Sequence, residues 1–319
     1  MVRKYTLVIV VPLLLMSLLA AAAAAQERRA APGVTLPSTF RDAATGMEFV
    51  LVKGGCFEMG DTLGGGDTDE RPVHEVCVSD FYLGRCEVTN EQFKRFIDAT
   101  GYRTTAEHKG SGWGLDKDGP GDWKERSGLN WRHPLWPGDS IEQKMNHPVV
   151  QVSWHDAKEF VKWLSGKNNR TMRLPYEAEW EYVARSGGKE YRYSWGSEKP
   201  AGNVADLTLA KVAPKLEVFP GYDDGYRYTA PVGSYPKNDL GLFDMTGNVW
   251  EWCEDWYDPD YYNDSPKNNP TGPAGGQKKV MRGGSWNNVS RILRVTNRDD
   301  TEPGQRFFNA GFRVVLSVR

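Results

Sequence analysis

Glycine and proline interrupt this chain too often for long uninterrupted helices: 34 Gly and 19 Pro fall among 319 residues. Glycine frees the backbone for turns, and proline removes a donor from any helix or sheet ladder. Twelve tryptophans are interspersed with them, and side chains of that size need a packed interior or a binding surface. The combination predicts a loop-rich globular domain rather than a helical bundle. Hydrophobic residues make up 39% of the chain, enough to build a core, which argues against wholesale disorder. Forty basic side chains against 42 acidic ones give a formal net charge of -2. A nucleic-acid binder would normally carry a strong basic excess, so no nucleic-acid partner is expected.

The N-terminus reads as an address. Arg3 and Lys4 precede an apolar run from Leu7 to Ala25 that ends in alanines, the pattern of a secretory signal peptide over residues 1–25. The rival reading is an uncleaved anchor, the one route by which this chain would meet a membrane. Residues 26–42 are small and polar and read as a linker, leaving 43–319 as one domain. Export to a periplasmic or extracellular compartment suits disulfides. Cys56, Cys77, Cys86 and Cys253 allow three connectivities. Cys56 with Cys77 is the first pairing expected, leaving Cys86 with Cys253.

Within the domain, the segment from Met47 to Gly60 reads as a strand pair turning at glycines, and 74–88 alternates like strand. Residues 61–70 (DTLGGGDTDE) read as a solvated acidic loop. Thr89 with Gln92 fits a capping box, followed by a helix that stops at Gly101. Ala157, Phe160, Val161 and Leu164 predict a second helix, and Trp180, Val183 and Ala184 a third after Pro175. Four tryptophans, at 113, 123, 131 and 136, crowd a long Gly- and Pro-rich loop that is expected to line a groove.

Six stretches then match one pattern in order: NWRHPLWPGDSI (130–141), HPVVQVSWHDAKEFVKWL (147–164), RLPYEAEWEYVARSG (173–187), GLFDMTGNVWEW (241–252), MRGGSW (281–286) and NAGFRVV (309–315). Together they resemble the formylglycine-generating enzyme, or sulfatase-modifying factor, family. The resemblance implies an α+β, C-type-lectin-like fold that is loop-rich and low in regular secondary structure. It also implies an activity: full enzymes of the family oxidise a cysteine in a CxPxR motif of sulfatases to formylglycine, using oxygen and copper(I) held by two cysteines.

Those two cysteine positions match Asn288 and Leu293 here. Copper(I) is soft and selects thiolates, which an amide and an alkyl group do not replace, so copper is not expected. Trp250 and Ser285 match positions that line the substrate cleft. The resemblance also implies two calcium sites. One corresponds to Asn203, Val204, Asp224 and Tyr226, the other to Asp244, Gly247, Val249 and Glu251, all offering the hard oxygen donors that calcium takes. Capped turns are the plain alternative for the aspartates.

The C-terminal segment is rich in Asn and Arg, whose several donors suit carboxylates, sugars and peptide backbone. Trp131, Trp136, Trp286, Asn287, Arg291 and Arg294 are the residues expected to contact a peptide, protein or glycan ligand. The leading expectation is an exported, calcium-stabilised peptide- or glycan-binding module without copper-dependent oxidase chemistry. The alternatives are an oxidase acting on a sulfatase cysteine or another substrate by a copper-independent route, and a structural component of an envelope complex.

Overall fold

The computed structural model describes residues 36–116, 123–196 and 199–318. The expected signal segment, and the expected linker up to residue 35, lie outside them. Residues 38–319 form one compact unit. In chain order its strands are β1 (Thr39–Arg41), β2 (Glu48–Val52), β3 (Gly55–Met59), β4 (His74–Val78), β5 (Phe81–Gly84), β6 (Ser111–Gly114), β7 (Lys124–Ser127), β8 (Met172–Arg173), β9 (Trp250–Trp256), β10 (Lys279–Arg282), β11 (Asp299–Thr301), β12 (Ala310–Gly311) and β13 (Val315–Ser317). Three helices carry most of the helical core contacts: α1 (Asn90–Thr100), α2 (Trp154–Asn168) and α3 (Glu177–Ala184).

Strands β1-β2-β5-β13-β8 make an antiparallel sheet. A second sheet, β11-β10-β9-β12, has β12 parallel to β9. Ribbons β3–β4 and β6–β7 stand apart. Two expectations change here. The end of the expected linker is an edge strand, β1, because Phe40 packs against Phe49 with ring centroids 5.9 Å apart. The segment 47–60 is no hairpin: β2 joins the large sheet and β3 pairs with β4. Gly54 permits the crossing, since a Cβ there would lie 2.2 Å from the Val78 carbonyl oxygen.

Register on β3–β4 sets Cys56 opposite Cys77, and the two are disulfide-bonded. The expected partner bond does not form. Cys86 lies against Gly233 and near Asp244, while Cys253 is sealed in the core on β9, and both remain thiols. Burial raises the pKa of each.

The helices follow their sequence signals. Thr89 accepts the Gln92 amide at 3.2 Å while the Gln92 side chain accepts the Thr89 N–H at 2.9 Å, and Gly101 ends the helix in the left-handed region at φ 67°. Helix α2 starts from Ser153, whose side chain accepts the Asp156 N–H, and buries Ala157, Phe160, Val161 and Leu164. Phe93, Phe96, Phe160 and Phe312 pack ring on ring at 5.4–6.5 Å. Each such buried aromatic contributes roughly 1.5–3 kcal/mol over leaving it in water.

Helix α3 behaves differently from an amphipathic surface helix: all eight of its residues are buried, glutamates included. Glu177 takes a bidentate bond from Arg298, Nε to Oε1 at 2.7 Å and Nη2 to Oε2 at 3.0 Å. Glu179 is gripped by Arg173 at 2.6 and 2.7 Å. Glu181 accepts from Arg282, from Arg185 at 3.0 Å and from the Gly60 N–H at 3.0 Å. Burial alone would raise the Glu177 carboxyl, but Arg298 and Arg282 outweigh it and hold the pKa below its ordinary value. Arg282 continues outward, donating to the carbonyls of Thr296 at 2.7 Å and Asn297 at 2.5 Å. Helix α3 thereby pins the irregular segment that follows β10.

Breaking one buried partner leaves the other charge unpaired, at a cost of about 3–5 kcal/mol. Glu181→Gln should therefore lose about 3–5 kcal/mol, a large share of the roughly 5–15 kcal/mol that a domain of this kind has. Asp98→Ala, which removes the exposed Lys94–Asp98 pair, should lose about 0.5 kcal/mol or less. Urea unfolding of both variants checks the contrast; equal losses would show that the network carries no special weight. A pH effect also follows. Burial, with Lys144 nearby, lowers the His147 pKa from 6.5 to about 4, so the fold prefers the neutral ring. That preference stabilises fully above the unfolded value near 6.5 and is lost as pH falls from there towards 4. Between pH 7 and pH 5 wild type should lose more stability than His147→Gln, measured by the same urea titration; identical losses would refute the assignment.

Candidate functional site

The segment after β10 turns back on itself through Gly283 and Gly284, both at positive φ (100° and 69°). A side chain at Gly284 would meet the Leu293 Cδ2 at 2.7 Å, and one at Gly283 the Trp180 ring at 3.1 Å. This close turn buries Ser285 and Trp286 and presents Asn287 and Asn288 to a cleft of about 540 Å³. The apolar wall is Trp113, Trp123, Trp250, Met281, Ile292, Phe307 and Phe308, and the polar wall holds Asn287, Asn288, Asn297 and Asn309. Its charged groups are Asp67, Arg298 and Asp299. Apolar and polar groups thus share the wall about equally, a more polar lining than the predominantly apolar one usual for a small-molecule pocket.

Under the polar wall runs an amide lattice. The Ser285 hydroxyl lies 2.7 Å from Asn287 Oδ1 and 2.8 Å from Asn288 Oδ1, and it accepts from Asn309 Nδ2 at 3.0 Å. Asn309 Nδ2 also donates to Asn287 Oδ1 at 3.1 Å. Carboxamides are not bases that could take the serine proton, so this geometry does not activate Ser285 as a nucleophile. It fixes the asparagines instead.

The residues expected from the sequence divide. Trp250, Asn287 and Asn288 line the cleft, with Ser285 directly behind them. Trp286 is buried beneath it, edge-on to Tyr228 at 5.2 Å and against Phe308 at 5.7 Å. Leu293 faces away and packs with Tyr193 and Val204. Trp131 belongs to the core, 5.5 Å from the Phe93 ring, and Trp136 packs on Tyr228 at 5.6 Å. Arg291 is exposed and outside the cleft wall. Arg294 is buried because the acidic loop folds onto it: Glu70 pairs with it and the Gly65 carbonyl accepts at 3.2 Å. That loop is therefore not solvated throughout, and Glu70 at its end is fully buried. Of the four tryptophans in the long 108–147 segment, those that reach the cleft are Trp113, on β6, and Trp123. The long-loop signal pointed to the right segment, but nothing in it separated these two from their neighbours. Asp299 and Asn309 were also missed as site residues; Asn309 opens the NAGFRVV stretch but carried no site signal there.

The donors at the copper-equivalent positions are an amide and an alkyl group, and the two free thiols, Cys86 and Cys253, lie outside the cleft wall. Members of the first oxygen-donor set are linked by hydrogen bonds through Asp224. Asn203 donates through Nδ2 to the Tyr228 carbonyl at 2.8 Å and to Asn248 Oδ1 at 3.0 Å, which leaves Asn203 Oδ1 buried without a partner. Asp224 accepts the N–H groups of Val204 at 3.0 Å and Tyr226 at 2.8 Å. Burial pushes its pKa up to about 7, with Asp206 adding repulsion. An unpartnered amide oxygen is a donor that a hard cation takes, and the neighbouring Asp206 and Asp224 carboxyls repel each other. The second set is altered: both Glu251 oxygens are engaged, by Arg313 at 2.5 and 2.6 Å and by the Trp180 indole N–H at 2.8 Å. Asp244, pushed up to about 6 by burial, instead neighbours Glu87, whose Oε2 is buried without a partner. Gly247 lets the two loops touch, since a Cβ there would fall 2.3 Å from the Asn203 carbonyl oxygen.

With this geometry in hand, the relatives are informative. A family model described as a sulfatase-modifying factor enzyme 1-like domain matches residues 35–318. The chain is 40% identical over 283 residues to a formylglycine-generating enzyme of Streptomyces coelicolor, covering 83% of this chain and 87% of that one. It is 34% identical over 289 residues to the inactive C-alpha-formylglycine-generating enzyme 2 of Bos taurus, covering 84% and 87%. Among solved structures, PvdO from Pseudomonas aeruginosa superposes with a TM-score of 0.69 at 28% identity, covering 89% of this chain and 100% of that one. The loop-rich α+β architecture is theirs as well, and this chain belongs to the sulfatase-modifying factor, or formylglycine-generating enzyme, family.

Proposed function

We propose that this protein is an exported, calcium-stabilised member of its family that binds a peptide or glycan in the cleft and does not carry out copper-dependent oxidation. The observation that carries the reading is the donor chemistry at Asn288 and Leu293. Neither side chain offers the soft sulfur that copper(I) selects, and Leu293 is turned into a hydrophobic cluster. A relative named as inactive, at 34% identity, is a precedent for the scaffold being kept without that activity. The 40% identity to a named formylglycine-generating enzyme favours a second reading, an oxidase working by a copper-independent route. Support for export is the Cys56–Cys77 disulfide, a bond that persists in oxidising compartments. Among the described residues no helix is long and apolar enough to cross a membrane.

Calcium would sit on Asn203, Asp224 and the carbonyls of Val204 and Tyr226, where it would rigidify loops that have few ladder hydrogen bonds of their own. At the second position Asp244 with the Gly247 and Val249 carbonyls remains, while Glu251 is held by Arg313.

Two measurements test these claims. Copper-loaded protein incubated with a CxPxR peptide in oxygen should give no formylglycine above the protein-free control by mass spectrometry; robust turnover would overturn the binding reading. Full metal removal with EDTA should lower the melting temperature, and calcium should restore it, because a ligand at about 100 times its Kd adds about 2.7 kcal/mol. An unchanged melting temperature after confirmed metal removal would remove calcium from the account.

A further inference from the structure

The charged groups on the cleft wall do not balance. Arg298 lines the cavity, but both Glu177 oxygens bind its guanidinium, at 2.7 and 3.0 Å. Asp67 and Asp299 stand on the same wall, and Asp299 is the more telling of the two. One of its oxygens accepts the Asp300 N–H at 2.8 Å, and the nearby cation, Lys278, is committed to Asp300 at 2.6 Å. Burial pushes the Asp299 pKa up to about 6, with Asp300 and Asp69 adding repulsion against Lys278. A carboxylate drawn out of water beside a cavity favours a ligand that brings a cation to it, and disfavours one that brings a second carboxylate.

Two further features narrow the chemistry. Asn287 is 7% exposed, and its Oδ1 is taken by the Ser285 hydroxyl and the Asn309 amide. Those donors fix the orientation of the amide. Its Nδ2 is buried without a partner on the cleft wall, a donor that an incoming oxygen would satisfy. Trp123, on the same wall, is 40% exposed, which leaves indole surface within reach of a ligand that has an apolar face. A pyranose ring matches such a half-polar wall. Its C–H groups form an apolar face, and each hydroxyl on its rim both donates and accepts.

We propose that the cleft takes a glycan containing an amino sugar with an unsubstituted amine, its ammonium at Asp299, a ring hydroxyl on Asn287 Nδ2 and an apolar ring face on Trp123. This rests on the ligand-binding reading and, of its two ligand classes, selects the glycan. An N-acetylated sugar keeps the ring and hydroxyls but loses the cation. A uronic acid brings the wrong sign of charge to Asp299 and Asp67.

The test is a glycan array carrying amino, N-acetylated, neutral and uronic acid sugars, probed with the full chain beside a library of displayed peptides. Captured glycans are then titrated by calorimetry. They should carry the unsubstituted amine. Acetylating that amine should weaken wild-type binding about tenfold or more, and should cost little once Asp299→Asn has been introduced. Asp67→Asn, at a carboxylate of the same wall, gives the same cycle with a smaller coupling should Asp299→Asn fail to fold. Trp123→Ala, at an exposed ring, should weaken the amine and acetylated forms alike and leave their ratio unchanged. Capture of neutral or uronic acid glycans, or equal losses on acetylation in wild type and both aspartate variants, overturns the amine assignment and leaves ligand binding standing. Capture of peptides alone overturns the glycan. No capture of either by folded protein overturns the binding reading itself.

Discussion

The buried ion pairs of helix α3 hold the site together. A helix with every residue buried would normally be apolar, yet this one turns Glu177, Glu179 and Glu181 into the interior. Each finds an arginine, and two of those arginines, Arg282 and Arg298, bracket the irregular segment that forms the cleft. Such pairs gain little net stability over a well-packed apolar core, but losing one partner is expensive. Their effect is to specify one arrangement: fixed carboxylates select where the arginines sit, and the arginines bind the carbonyls of Thr296 and Asn297. A segment with little regular structure thereby gains fixed hydrogen-bond partners for its carbonyls. Glu251 and Arg313 repeat the device one layer away, with the Trp180 indole from the same helix closing it.

Much of this fold was legible in the sequence where the signal is local. Capping boxes and a left-handed glycine delimit α1, and apolar spacing delimits α2, because both depend on residues within one or two turns. The error at 47–60 has a non-local cause: Gly54 crosses between sheets because of the Val78 carbonyl, and nothing in the segment itself reports that. The acidic loop misleads similarly, since Arg294, more than 200 positions away, decides that Glu70 is buried. At the site, the Gly-Gly-Ser-Trp stretch identified the right turn, and Trp250, Asn287 and Asn288 line the cleft it makes. Trp131 and Arg294 were misassigned as ligand contacts because composition marks binding potential but not which partner already satisfies it. Asp299 escaped notice for the opposite reason: a doublet of acids reads as solvated until one of them is found beside a cavity.

On the proposed reading, this chain keeps the family scaffold without its copper-dependent oxidase chemistry. Glycines at 283 and 284, the buried Ser285 and the paired Trp250 wall preserve the shape of a cleft. Asn288 presents an amide to that cleft and Leu293 an alkyl group to a hydrophobic cluster, and neither offers the sulfur that a soft metal selects. A cleft lined by amides and indoles, with Arg298 neutralised by Glu177, is suited to recognition by hydrogen bonding and apolar contact.

The most direct test of that separation is the affinity of the purified protein for copper(I), by competition with a coloured copper(I) chelator under reducing, anaerobic conditions. The account predicts that the chelator retains the metal. Stoichiometric capture of copper(I) by the unmodified chain, with thiolate-to-copper absorption, would contradict it.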